Sequence, residues 1–163
     1  MPQATKEIQR RIKSIGNTKK VTKAMEMVAA SKMRKAIANV LATRSYSNLA
    51  WDLVKTLASR TDSKYHPLLE KRAKVKKIGL VLITSNRGLC SGFNAAIINR
   101  SIKYITKNED AEVELIVLGD KGKDFMSKKG HKIVAEFEKL DITTNITEIT
   151  PLAKLLVDDF IEA

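Results

Sequence analysis

Between about Ala4 and Leu57 apolar side chains return every three or four residues. Ile8, Ile12 and Ile15 come first, then Met25, Ala29, Met33, Ile37 and Val40, then Tyr46, Leu49, Leu53 and Leu57. That spacing describes a stripe on a helix. The stretch holds one glycine, Gly16, and no proline, so one helix is expected over all of it, ~80 Å long at ~1.5 Å per residue. Gly16 costs about 1 kcal/mol relative to alanine and is expected to mark a bend. Past Leu57 the texture changes. The segment SRTDSKYHPLLEKRAK (59–74), punctuated by Pro67, reads as a linker. Short apolar runs then alternate with helical ones: strands at 77–84, 113–118 and 132–137, and helices near 93–107, near 121–129 and from about 151. Near-continuous apolar strands alternating with helices predict a parallel sheet covered on both faces. The expected fold class is therefore α/β, with a long coiled-coil helix over 1–58, a linker over 59–74 and a small Rossmann-like domain with flanking helices over 75–163.

This organisation contains a mismatch. A helix of ~80 Å has to bury its stripe against something of similar length, and no other segment shows more than ~15 residues of helical pattern. The partner is expected from another chain or from a continuation of this one. The sequence also reaches Ala163 inside a helical run, PLAKLLVDDFIEA, without a stop signal. A truncated chain is the expectation.

Charge narrows the choice of partner. The 163 residues are 44% hydrophobic and 29% charged, enough for one domain with a modest core. The net charge of +12 is uneven. Through Lys35 there are ten cations against only Glu7 and Glu26. Lys19 to Ala36, KKVTKAMEMVAASKMRKA, carries six of those cations and three of the five methionines. A basic arm calls for an acidic partner: nucleic acid, a lipid surface or a protein. Nucleic acid is the rival reading, weakened because residues 1–45 have no aromatic side chain on which a base could stack. The stripe after Met33 is also too irregular for the zipper that follows a basic DNA-reading helix. No window is long and apolar enough to span a bilayer, and the N-terminus lacks the apolar run of a secretory signal. The single cysteine, Cys90, excludes an internal disulfide.

The candidate chemistry sits in TSNRGLCSGFN (84–94), between an apolar strand and a helix. Gly88 and Gly92 match neither the dinucleotide-binding pattern nor the P-loop. Gly88-Leu89-Cys90-Ser91-Gly92 resembles a nucleophile elbow, but that chemistry needs a histidine base. The only histidines are His66, in the linker, and His131, leading a strand. A tight turn of Gly88, Cys90 and Gly92 packing helix on sheet is the favoured reading. Gly119-Asp120-Lys121-Gly122-Lys123 could touch an anion, but Asp120 as helix N-cap is favoured. One cysteine and two separated histidines give no metal-ligand spacing. The methionine group reads as core filler, or as a surface that must adapt.

IKSIGNTKKVTKAMEMVAASKMRKA (12–36) followed by TSNRGLCSGFN, with HPLLE (66–70) and LGDKG (118–122), resembles the gamma-subunit family of F-type ATP synthases. The likeness covers this whole chain and the N-terminal part of the family's length; family members continue into a long C-terminal helix that returns along the first. The resemblance implies a non-catalytic rotor shaft without cofactor, turning inside a ring of alpha and beta subunits. Its α/β foot sits on the epsilon subunit and the membrane c-ring, so the protein touches the membrane only peripherally. That membrane would be the bacterial plasma membrane, on its cytoplasmic side, or the mitochondrial inner membrane, on its matrix side. Carried over by position, Lys19, Lys20, Lys23, Met25, Met27, Lys32, Met33, Arg34 and Lys35 form the shaft portion facing an acidic lever of the beta subunit, with Met25 at the meeting point. Cys90 matches the family's cysteine, while Ser91 stands where glycine is more usual.

Overall fold

The computed structural model describes residues 2–162 apart from 63, 65, 71, 73 and 139–145. Parts of the expected linker lie outside that set. Two compact units divide the chain, Met1–Thr56 and Leu57–Ala163.

Helix α1, Pro2–Arg60, contributes nearly all of the first unit. It is unbroken at Gly16, where an added methyl would meet no neighbouring atom. Thr18 and Thr22 turn their hydroxyls back onto the carbonyls of Ser14 and Thr18, at 3.0 and 2.9 Å, and Thr43, Ser47 and Thr56 do the same one turn back. That back-bonding satisfies each hydroxyl within the helix itself.

The second unit is built on three parallel strands: β1 (Lys77–Ile83), β2 (Glu112–Leu118) and β3 (Ile133–Phe137), in the order β1-β2-β3. β1 and β2 pair in unbroken register from Lys77 opposite Glu112 to Ile83 opposite Leu118. β3 carries one extra residue: Ile133 faces Leu115, yet Ala135 faces Ile116, which leaves Val134 as a bulge. Helix α2 (Phe93–Lys107) crosses from β1 to β2 and helix α3 (Asp120–Lys128) from β2 to β3. Helix α4 (Thr150–Glu162) follows a 3-10 turn at Ile146–Glu148, and another 3-10 turn, Pro67–Leu69, lies before β1.

Leu82, Leu115 and Val117 from the strands close on Ile98 of α2 and Met126 of α3, all buried. Leu80, Ile97, Ile102, Ile105, Phe125 and Ile133 ring them. Each fully buried side chain of this size stabilises the fold by roughly 1.5–3 kcal/mol, so this cluster is what holds the second unit together. Both crossover helices share this cluster, so both lie on the same face of the sheet. Consecutive strand order explains it: two right-handed crossovers advancing the same way put their helices on the same side. The opposite face presents Val81, Ile83, Ile116 and Leu118 by alternation; Ile116 at its centre is 2% exposed and Ile83, at the strand end, 50%.

The joint between β1 and α3 is made by Thr84, which is fully buried. Its Oγ1 accepts from the Gly122 amide at 2.8 Å and lies 3.1 Å from the Gly119 carbonyl, to which it donates. Gly119 has φ +95°, and a Cβ there would sit 2.3 Å from the Thr84 carbonyl oxygen. Only glycine fits. Gly119 is accordingly the N-cap of α3 and Asp120 its first residue, a correction to the expected Asp120 cap. From the first turn the Asp120 carboxylate still faces the positive end of the helix.

Candidate functional site

The most unusual surface of the molecule is α1. Met25, Met27 and Met33 are each about 60% exposed, with Val21, Val28, Ile37, Val40, Leu41, Tyr46, Leu49, Trp51, Leu53, Val54 and Leu57 exposed to a similar degree. At ~100° per residue these side chains do not form one stripe. Met27 and Leu41 point away from Met25 and Val54, and the apolar side near Tyr46 to Leu57 is rotated far from that near Ile8 to Ile15. Exposed apolar side chains on more than one side of a helix call for more than one neighbour to cover them. A shallow groove runs along it, lined by Val21, Ala24, Met25, Val28, Ala29 and Lys32, the three- and four-residue spacing that receives a second helix.

The cations lie among these apolar groups. Lys19, Lys20, Lys23, Lys32, Arg34 and Lys35 are all exposed. Glu7 is held by Arg11 at 2.7 Å and Glu26 by Lys23 at 3.0 Å. Each such exposed pair is worth ~0–1 kcal/mol. With the two acids so engaged, the first 35 residues keep their positive surplus.

The turn after β1 is a separate feature. Gly88, Cys90 and Gly92 all lie in it, Gly92 as the N-cap of α2. Neither Gly88 nor Gly92 has a positive φ, and a methyl at either would meet open space. The left-handed backbone falls instead on Leu89 (φ 64°) and Ser91 (φ 53°). A small polar network holds this conformation. Asn94 Oδ1 accepts from the Ser85 amide at 3.1 Å, and Asn94 Nδ2 donates to Ser85 Oγ at 2.7 Å and to Cys90 Sγ at 3.2 Å. Ser85 Oγ in turn donates to the Arg87 carbonyl at 2.6 Å. Sequence reasoning singled out the glycines and missed Ser85 and Asn94. The available signal was a serine and an asparagine nine residues apart, flanking the turn.

This network does not assemble a hydrolase. Cys90 is half-buried and meets Ser85 and Asn94. His66 instead caps the Pro67–Leu69 turn, its Nδ1 accepting from the Leu68 amide at 3.3 Å. Within the first turn of α3, Lys123 is engaged by Glu136 at 2.8 Å. That hydrogen bond and the Glu136 charge raise the Lys123 pKa above the usual lysine value. Among the described residues no three His, Cys, Asp or Glu side chains are grouped to hold a metal ion. No helix among them is long and apolar enough to cross a membrane.

The sequence model of a family described as ATP synthase matches residues 4–163. The ATP synthase gamma chain of Herpetosiphon aurantiacus is 39% identical over 161 residues, covering 96% of this chain and 55% of that protein. The ATP synthase gamma chain of a Sulfurihydrogenibium species is 40% identical over 160 residues, with the same coverage, 96% and 55%. The chain thus spans about half the length of the curated relatives it matches. Among solved structures, the central stalk and c-ring of the Tetrahymena thermophila mitochondrial ATP synthase superposes with a TM-score of 0.65. The sequences are 25% identical, and the match covers 85% of this chain and 59% of that one.

Proposed function

The chain belongs to the ATP synthase gamma-chain family, and on that premise we propose that it forms part of the central rotor shaft of an F-type ATP synthase. The observation that carries this reading is α1 itself: 59 residues of helix whose large apolar side chains are exposed along its length and which is basic over Lys19 to Lys35. In this reading ion flow through the membrane c-ring turns the shaft inside a sleeve of alternating alpha and beta subunits. The turning shaft then carries each beta subunit through its binding states. The chain contributes no catalytic residue and no cofactor. Residues 1–58 are the shaft helix, 59–74 the joint and 75–163 the foot, which rests on the epsilon subunit and the c-ring. A returning helix from the remainder of a gamma chain covers one side of α1, and the sleeve faces the rest. The assembly is peripheral, on the cytoplasmic side of a bacterial plasma membrane or the matrix side of the mitochondrial inner membrane.

The chemistry of the proposed contact residues suits that task. Lys19, Lys20, Lys23, Lys32, Arg34 and Lys35 attract an acidic lever through exposed pairs, each worth ~0–1 kcal/mol and screened over ~10 Å at 0.1 M salt. Many weak attractions hold the shaft without locking it at one angle. Met25, Met27 and Met33 add soft, unbranched surface that can repack as the shaft turns. Gly88, Cys90 and Gly92 serve the foot as a structural turn.

The relatives described above carry the ATP synthase name, which favours the rotor over a nucleic-acid-binding arm. Gel filtration of the chain with an alpha–beta assembly tests the choice. Co-elution at low salt is expected, weakened when the six cations from Lys19 to Lys35 are changed to glutamate. Retention on heparin at physiological salt, with no association with the alpha–beta assembly, would give the function to the nucleic-acid arm.

A further inference from the structure

Trp51, the chain's only tryptophan, stands on α1 with 62% of its surface exposed, although tryptophan is on average a highly buried side chain. At ~100° per residue its indole points roughly 140–160° away from Tyr46, Leu49 and Leu53. A neighbour seated on those three therefore leaves the indole uncovered. It also lies about 39 Å along the helix from Met25, beyond the stretch Lys19 to Lys35. The ring is already held in place. Lys55, one turn on, sets its ammonium 5.7 Å from the ring centre, within cation–π range. A ring fixed in advance loses less freedom when a partner covers it. Arg44, two turns back and within about 20° of the same side, is exposed, as is Lys55. At one-turn spacing Ser47, Asn48 and Lys55 are polar and Val54 alone is apolar. The result is one large anchor framed by two cations.

That framing distinguishes between kinds of anionic partner. A helix lying in a membrane surface carries a continuous apolar face beside its basic one; here the indole and Val54 stand among polar groups. Single-stranded nucleic acid stacks on successive aromatics, and this side of the helix offers one ring with a cation over it. Protein interfaces concentrate binding energy on a few Trp, Tyr and Arg anchors, and flanking cations select carboxylates. We propose that Trp51, Arg44 and Lys55 dock an acidic segment of a partner protein. The segment sets an apolar side chain on the indole and carboxylates against the two cations. Arg44 and Lys55 are 11 residues apart, ~16 Å along the axis, so about three helical turns of partner span the site. The contact is additional to the rotor reading and stands without it.

Tryptophan emission of the full chain reports on this site alone, because the chain has one indole. The probe is an amphipathic peptide of leucine and glutamate. As it is added, emission should move to shorter wavelength and acrylamide quenching should fall. Arg44→Gln with Lys55→Gln should weaken the titration about three- to tenfold, within the range of two exposed ion pairs. Lys6→Gln with Lys13→Gln removes the same charge far along α1 and should change it by less than about twofold. Trp51→Ala, followed by calorimetry, should cost about tenfold, as truncating a central anchor does. Equal weakening by the two charge variants would overturn the proposal. Binding with unchanged emission would also overturn it, by placing the peptide on the side of Tyr46, Leu49 and Leu53. An emission shift with phosphatidylglycerol vesicles but not with the peptide would give the site to a lipid surface instead. The same result with single-stranded oligothymidylate would give it to nucleic acid.

Discussion

The two units of this chain spend their apolar residues in opposite ways. In Leu57–Ala163, Leu82, Leu115, Val117 and Met126 are at most 1% exposed and meet one another across a sheet and two helices. In Met1–Thr56 the large apolar side chains are about half exposed or more, from Val54 at 47% to Tyr46 at 77%. Yet both units belong to one chain, and helical order runs unbroken through the exposed one. A core that closes on itself makes the second unit a self-sufficient domain. A helix that displays its apolar groups on more than one side is an element of something larger, because contiguous apolar surface beyond a few hundred Å² rarely stays open to water.

The contrast breaks first at positions where backbone leaves no room. Gly119→Ala places a methyl 2.3 Å from the Thr84 carbonyl at a backbone angle suited only to glycine, so a loss on the order of 4 kcal/mol is expected in chemical denaturation of the second unit. Met126→Ala should cost roughly 3 kcal/mol by emptying a fully buried site, whereas Met25→Ala, at 59% exposure, should change the chain's own stability by less than about 0.5 kcal/mol. Equal losses at Met126 and Met25 would erase the distinction between the units.

Much of the fold behind these expectations was legible in the sequence. The apolar runs KIGLVLI and VELIVL are β1 and most of β2, and the helices fall within a residue or two of their expected places. Local patterns carry that information, because strand and helix each have their own period. Features set by contacts far apart in the chain were not legible. The need for glycine at 119 comes from Thr84, thirty-five residues earlier. The hydrogen bond from Arg72 to the Phe160 carbonyl joins residues 88 apart, and the bulge at Val134 depends on how β3 meets Leu115 and Ile116. The charge and methionine content of Lys19 to Lys35 were legible, and the structure adds that these cations and methionines are exposed on one helix.

Smaller effects sharpen the picture. Ser91 occupies a left-handed position, φ 53°, where its Cβ costs about 1 kcal/mol. Ser91→Gly should therefore stabilise the second unit by roughly 0.5 kcal/mol net of the added freedom of the unfolded chain, read as a rise in denaturation midpoint. Destabilisation instead would mean that the serine side chain, not the backbone angle, matters at this turn.

The smallest expected effect is a pH dependence. Lys123 and Lys132 have pKa values raised, in each case first by a side-chain hydrogen bond and then by the charge of the same carboxylate, Glu136 and Glu112 respectively. A raised folded-state pKa favours the protonated native form. The contribution is thus complete below the ordinary lysine value and disappears as pH climbs through the raised one. Denaturation of the second unit near neutral and at strongly alkaline pH should show a slight loss at the alkaline end, diminished in Lys123→Met and Lys132→Met. An unaltered alkaline slope in the double variant would assign it to other groups.

The central claim is that α1 requires a cover and the sheet unit does not. Hydrogen exchange of the dilute monomeric chain, with and without an alpha–beta assembly, tests it most directly. Amides of β1, β2 and α2 should be protected in both conditions. Those of residues 20–50 should exchange rapidly alone, since an isolated helix opens and frays at little cost, and slow markedly when the assembly is added. Full protection of residues 20–50 in the monomer, with no partner present, would contradict the account.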